Sequence, residues 1–262
     1  MSDGAGPMLT VERDGGVAVV TLRNPAQLNA LGTAMIAALD DAITTVAGDP
    51  EVRIVVVTGE GKAFSAGADI KEFGALAGPL EFRAFIEELE TMLRRLERLP
   101  KPSIAAVNGI AFGGGLELAL ACDLRVVDEG ARLGVPEIKL GLLPGAGGTQ
   151  RLPRIVAPAV AMQMLMTGDP VHASEAHRIG LANEVAPAGT VLERAVDLAR
   201  TLTARPPLAL AAMKRLREAW ALPLDVALDH ERETVSMLFA TEDRTEGTAA
   251  FAEKREARFR GV

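Results

Sequence analysis

Two acidic residues stand out by their surroundings. Glu117 lies in Gly113-Gly114-Gly115-Leu116-Glu117-Leu118-Ala119-Leu120-Ala121-Cys122-Asp123, as the only charge in the first turns of an apolar, helix-like segment. Glu137 follows in Val135-Pro136-Glu137-Ile138 and leads into the glycine-dense run Gly141-Leu142-Leu143-Pro144-Gly145-Ala146-Gly147-Gly148-Thr149. Desolvation raises the pKa of a carboxylate in apolar surroundings, which suits a general acid or base near neutral pH. The ordinary alternatives are a helix N-terminal acid facing solvent for Glu117 and an exposed loop acid for Glu137. Spacing does not bring the two together. The three glycines ahead of Glu117 permit close backbone approach and leave free N–H groups at a helix start, where they could stabilise an oxyanion.

The composition leaves few other groups for proton transfer. The 262 residues include 28 Lys and Arg, 35 Asp and Glu, three His, one Cys and no Tyr, for a net charge of −7. A single Cys excludes an intramolecular disulfide and a cysteine-based zinc cluster. The acidic balance and 3% aromatic content argue against a general nucleic-acid binder. The run Arg83/Arg94/Arg95/Arg98 reads as a solvated helix face. His172 and His177 are five apart rather than the four of a helical zinc pair, and with His230 they read as surface or packing residues. A Walker A motif fails because Ala63 follows Gly61-Lys62, and no G-x-G-x-x-G occurs. Ala63-Phe64-Ser65-Ala66-Gly67 narrowly misses the nucleophile-elbow pattern. No metal site and no separate cofactor is expected. No apolar run approaches the ~20 residues of a membrane span, and no secretory signal is visible, so a cytoplasmic location without membrane partners is expected.

The elements that would position these residues form an α/β pattern. A hairpin is predicted at Leu9–Arg13 and Val17–Leu22, around Asp14-Gly15-Gly16. Thr33–Val46 and Pro79–Leu99 have helical apolar spacing. Arg53–Thr58 and Ser103–Val107 read as strands buried on both faces, Leu124–Val127 as a further strand, and Gly59–Asp69 as a small-residue loop. Leu116–Ala121 reads as a short apolar helix. After about residue 148 the pattern becomes helical: Thr149–Met166, Ser174–Ile179, Val191–Ala204, Pro206–Trp220, Leu224–Phe239 and Glu242–Arg258. A strand-and-helix core followed by a helical tail suggests that the tail packs on a neighbour.

With these segments in view, the chain resembles the crotonase (enoyl-CoA hydratase/isomerase) superfamily, closest to the short-chain enoyl-CoA hydratases. The resemblance rests on Ile104-Ala105-Ala106-Val107-Asn108-Gly109, Gly113 to Ala119, Cys122-Asp123, Pro136-Glu137-Ile138, Gly141 and Pro144 to Leu152. It extends to Asn29-Ala30-Leu31, Phe64 to Lys71, Thr167-Gly168, Glu242 to Gly247 and Phe251 to Arg255. The resemblance implies an α/β fold, a crotonase-like spiral of ββα units followed by C-terminal trimerisation helices. On that basis residues 1–200 form the core with the CoA and acyl site, and residues 201–262 form the trimerisation region of a homotrimer or homohexamer.

By the same resemblance, the backbone N–H groups of Ala68 and Gly114 form an oxyanion hole for the thioester carbonyl of an acyl-CoA. Glu117 and Glu137 then become the acid/base pair that hydrates trans-2-enoyl-CoA to 3-hydroxyacyl-CoA, as in fatty-acid β-oxidation. CoA itself is part of the substrate. Leu28, Ala66, Ala68, Asp69, Ile70, Gly113, Gly114, Pro136, Gly145 and Lys254 are the implied substrate- and CoA-binding positions. One departure is visible: Asn24-Pro25-Ala26-Gln27-Leu28-Asn29 lacks the lysine that many hydratases carry here. The CoA phosphates then depend on Lys254 or other basic residues of the C-terminal helix. Rival readings are a Δ3-Δ2-enoyl-CoA isomerase, a hydratase for a branched or aromatic acyl group, a Ser65-based thioester hydrolase, and a non-catalytic RNA-interacting member.

Overall fold

The computed structural model describes residues 7–262. In chain order the strands are β1 (Leu9–Asp14), β2 (Val17–Leu22), β3 (Ile54–Gly59), β4 (Ala63–Ser65), β5 (Ser103–Val107), β6 (Ile110–Phe112), β7 (Leu124–Asp128), β8 (Arg132–Gly134), β9 (Val171–His172) and β10 (Glu184–Ala186). The helices are α1 (Thr33–Gly48), α2 (Ile70–Phe73), α3 (Pro79–Arg98), α4 (Gly114–Ala121), α5 (Gly148–Arg151), α6 (Pro158–Thr167), α7 (Ala173–Arg178), α8 (Val191–Thr203), α9 (Pro207–Leu216), α10 (Leu224–Leu238) and α11 (Glu242–Glu253).

The strands form two sheets, ordered β1-β2-β3-β5-β7-β10 and β4-β6-β8-β9. Three successive strand pairs, β3/β4, β5/β6 and β7/β8, send their first member to the large sheet and their second to the small one. β3 and β4 lead to α3, and β5 and β6 lead to α4. This repeated ββα step is the spiral expected from the sequence. The large sheet is parallel from β2 onward, and β1 joins it through an antiparallel hairpin. Gly15 and Gly16 close that hairpin with φ of 54° and 87°, the left-handed pair that a two-residue turn requires.

β3 and β5 are buried along their whole length because helices cover both faces of the sheet. Val55, Val57, Ala105 and Val107 pack with α1, α3 and α4 in the larger core. Ile54, Val56, Ile104 and Ala106 face the other way and pack on Ala195 and Ala199 of α8.

Several expectations need correction. β4, β6, β8, β9 and β10 have only two or three residues each, too short to show an alternating pattern. The helix expected over Thr149–Met166 is broken into α5, a 3-10 turn at Leu152–Arg154 and α6. Pro153 and Pro158 lack the N–H that a continuous helix would need. Pro206–Trp220 divides into α9 and a 3-10 turn at Arg217–Ala221. The helix expected to reach Arg258 ends at Glu253, where Lys254 adopts φ 55° and turns the chain back.

The returning tail is tied down. Asp243 is buried and accepts from the N–H groups of Arg260 (2.7 Å) and Gly261 (2.8 Å). Arg53 donates to the carbonyls of Thr203 (2.9 Å) and Phe259 (2.7 Å), joining the tail to the sheet. The C-terminal helices leave Met213, Trp220, Leu224, Met237 and Phe251 exposed. No helix among the described residues is long and apolar enough to cross a membrane.

Candidate active site

The site forms where α4 begins, against the end of β4. Gly115 allows that approach, since a Cβ there would lie 2.2 Å from the Ser65 carbonyl oxygen. Gly67, at φ 97°, plays the matching part on the other segment, where a Cβ would lie 2.6 Å from the Phe112 carbonyl. The result sets the N–H of Ala68 beside the start of α4, 3.4 Å from where a Cβ of Gly114 would stand. Neither the Ala68 nor the Gly114 N–H donates a hydrogen bond among the described residues. Two neighbouring free donors of this kind suit an oxyanion.

The segment carrying Ala68 is held from behind. Leu31 N–H donates to Gly67 O (2.8 Å), and Ala66 N–H donates to Leu28 O (2.9 Å). Leu28, Ala66 and Ala68 are therefore brought together. Asp69 caps α2 by accepting from Lys71 N–H (2.9 Å), and Ile70 is exposed beside it. Ser65 is buried with its hydroxyl donated to Asn29 O (2.8 Å), and among the described residues no His is hydrogen-bonded to it. Its role is architectural, which removes the basis of the hydrolase reading.

Glu117 is one turn into α4 and 2% exposed. Its Oε1 accepts from the N–H groups of Ala146 (2.9 Å) and Gly148 (2.7 Å), in the glycine loop that runs from Pro144 to Gly148. Burial pushes its pKa above the ordinary carboxylate value, and those two N–H bonds and Arg151 oppose that rise. Glu137 stands in a 3-10 turn at Pro136–Leu140, where Pro136 fixes the first residue of the turn. Its Oε1 lies 2.6 Å from where a Cβ of Gly113 would stand, and its Oε2 is buried without a hydrogen-bond partner among the described residues. Burial, with a smaller contribution from the nearby charge of Glu117, pushes the Glu137 carboxyl up to about 7. Two acids with raised pKa values thus flank the pair of free N–H donors.

Gly145 closes the far side against Ile86 of α3, whose Cδ1 would lie 3.1 Å from a Cβ at that position. Lys254 is not brought to this cluster within one chain. It ends α11 with its side chain exposed, and no hydrogen bond or ion pair joins it to residues 63–70 among the described residues. The three histidines also lie elsewhere, His177 with Nδ1 3.2 Å from Ala182 O. Among the described residues no group of three or more His, Cys, Asp or Glu is placed to hold a metal ion. One residue escaped the sequence reading. Arg151 donates to Ala146 O (2.7 Å), in the loop that holds Glu117, and only its place in the Gly147-Gly148-Thr149-Gln150-Arg151-Leu152 run could have drawn attention to it.

A spiral of ββα units with a C-terminal helical bundle, setting paired N–H donors beside a buried and a half-buried acid, defines the crotonase class of α/β proteins. The chain belongs to the enoyl-CoA hydratase/isomerase family, whose sequence profile matches residues 12–262. It is 42% identical over 97% of its length to a 2,3-dehydroadipyl-CoA hydratase of Escherichia coli (strain K12), covering 98% of that protein. It is 40% identical over 96% of its length to a crotonyl-CoA hydratase of Syntrophomonas wolfei, covering 97% of that protein. Among solved structures, an enoyl-CoA hydratase from Bacillus anthracis superposes with a TM-score of 0.94 at 36% identity, over 97% of this chain and all of that one.

Proposed function

We propose that this protein is an enoyl-CoA hydratase that adds water reversibly, in the syn sense, to trans-2-enoyl-CoA to give 3-hydroxyacyl-CoA. The observation that carries this reading is the juxtaposition of buried Glu117 and half-buried Glu137, whose Oε2 is sealed from solvent, with the free N–H donors of Ala68 and Gly114. In the proposed step, ionised Glu117 takes a proton from water as the water oxygen bonds to the β-carbon. The π electrons move onto the thioester oxygen, where the Ala68 and Gly114 N–H groups stabilise the enolate. Protonated Glu137 gives its proton to the α-carbon, the carbonyl reforms, and proton exchange with solvent resets both acids.

Glu117→Gln and Glu137→Gln should each lower crotonyl-CoA hydration by about 10²–10⁴-fold, as for a lost acid/base group. Near-normal turnover in both would overturn the assignment. A specialised acyl group is a second reading, favoured by the similarity to the 2,3-dehydroadipyl-CoA hydratase. A panel of short, long, branched and ω-carboxylated 2-enoyl-CoAs, with 3-enoyl-CoAs to detect isomerase activity, separates the readings.

The exposed apolar residues of the C-terminal helices support assembly as a trimer or hexamer, with residues 201–262 at the contact. Sedimentation would return three or six copies of the chain. Such assembly offers Lys254 a route to a neighbour's CoA. Because Ala26 and Gln27 carry no charge, CoA affinity should depend less on salt than in hydratases that carry a lysine there, which a CoA titration across salt concentrations checks. A cytoplasmic location belongs to the same proposal, with cell fractionation as its test.

A further inference from the structure

We infer that Arg151 is a positioning residue for Glu117: it fixes the loop that donates to the carboxylate and sets a cation behind it, braced by Glu97 and the C-terminal helices. The inference rests on the hydration reading, in which Glu117 is the base.

Three consecutive peptide groups face Glu117 and Arg151 in alternation. Those ending at Ala146 N and Gly148 N point their N–H groups at Glu117 Oε1, at 2.9 and 2.7 Å. The peptide between them points its carbonyl, Ala146 O, to Arg151 Nη1 at 2.7 Å. Turning the middle peptide would turn its neighbours, so the guanidinium holds all three. Gly147 makes the arrangement possible. It adopts φ 106°, and a Cβ there would lie 2.1 Å from Arg151 Nη1.

Arg151 is itself held firmly, with its side chain 12% exposed. Its Nε (3.2 Å) and Nη2 (3.0 Å) both donate to Glu97 Oε2 on α3. Glu97 Oε1 accepts from Arg217 Nη2 at 3.1 Å. Arg217 Nη1 lies 3.6 Å from Asp123 Oδ1, and Lys214 Nζ of α9 lies 2.7 Å from Asp123 Oδ2. The chain of charges thus runs from the C-terminal helices to the Glu117 loop. In a partly buried network each such pair is screened less than a surface pair.

Charged groups face Glu117 from few directions. α5 supplies Arg151, α3 supplies Glu97 on the far side of that guanidinium, and the Pro136–Leu140 turn supplies Glu137. β4 and β6, which also pack on α4, carry no charged side chain. Arg151 is therefore the cation that opposes the effect of burial on Glu117, and Glu97 partly offsets it.

The test measures two quantities in wild type, Arg151→Gln, Arg151→Lys and Glu97→Gln. One is kcat and KM for crotonyl-CoA against pH. The other is the titration of Glu117 by NMR of δ-¹³C-glutamate protein, with the signal assigned by its loss in Glu117→Gln. Arg151→Gln should lower kcat roughly tenfold or more with KM little changed, and should move the Glu117 titration upward. Arg151→Lys should restore most of both. Glu97→Gln should move the titration downward, because Arg151 is then less neutralised. Opposite signs for the two neutral variants are something a merely structural role would not produce.

An unmoved Glu117 titration in Arg151→Gln overturns the inference, whatever happens to kcat. If Arg151→Gln does not fold, Glu97→Gln decides: a downward shift of the Glu117 titration there, with Arg151→Lys staying near wild type, supports the inference, and an unmoved Glu117 titration in Glu97→Gln overturns it. A wild type that hydrates no enoyl-CoA, yet shows the titration shifts, retains the positioning role and removes the hydration reading.

Discussion

Gly113 and Glu137 are packed so closely that a Cβ on the glycine would stand 2.6 Å from Glu137 Oε1. The carboxyl occupies space that any other residue at position 113 would fill. The same glycine has φ 51° and ψ −123° and starts α4, so one residue sets both the room for Glu137 and the direction of the Gly114 N–H.

Gly113→Ala therefore has two consequences. The backbone conformation costs about 1–3 kcal/mol in stability. The displaced carboxyl should reduce hydration by more than that loss of folded protein explains, at full occupancy of the folded state. Denaturant unfolding together with kcat on folded enzyme checks this, and unchanged turnover per folded molecule would contradict the proposed placement of Glu137.

The pH profile should carry the signature of Glu137. As proton donor it must be protonated, and its pKa is about 7. Hydration should fall as pH rises through that region, and the fall should be absent from the residual rate of Glu137→Gln. Glu117 must be ionised to act as base, and its pKa is raised above the usual range, so the acid limb belongs to it. A flat kcat/KM between pH 6 and 9, values bracketing that pKa by about one and two units, would contradict this assignment.

Stability should show the linked effect with a definite sign. The folded pKa of Glu137, about 7, exceeds the ordinary 4.5, so between those values the folded state binds more protons than the unfolded state. The contribution of this residue to stability is present at low pH and is lost as pH rises through that window. Unfolding midpoints measured across it should fall more steeply in wild type than in Glu137→Gln. Equal slopes would show that the carboxyl titrates alike in both states.

Asp243 makes a prediction about the tail. Removing its carboxylate leaves the Arg260 and Gly261 N–H groups without their partner. Asp243→Ala should cost about 1–3 kcal/mol, the loss of two hydrogen bonds to a charged, buried acceptor. Hydrogen exchange at those two amides should accelerate together with a lower unfolding midpoint. Protected amides in the variant would mean that other ties hold the tail: Arg53 on the Phe259 carbonyl, Glu242 N–H on the Val262 carbonyl (2.9 Å), and Arg258 N–H on Glu246 (2.8 Å).

The sequence by itself determined the elements with strong local patterns. The fully apolar runs of β3 and β5 could only be strands covered on both faces, and the spacing of Phe85, Leu89, Met92 and Leu96 could only be a helix with one buried stripe. It also isolated Glu117 and Glu137, because single charges in apolar surroundings are visible without any structure. The motif blocks pointed to the family and to Ala68 and Gly114. Tertiary structure alone decided which groups meet. Glu117 takes its donors from Ala146 and Gly148, 29 and 31 residues away, and Arg151 takes its brace from Glu97, 54 residues away. Local propensity and periodicity act over a few residues. The short strands of the small sheet and the charge chain behind Glu117 are set by packing between distant segments, and the sequence pattern holds no record of it.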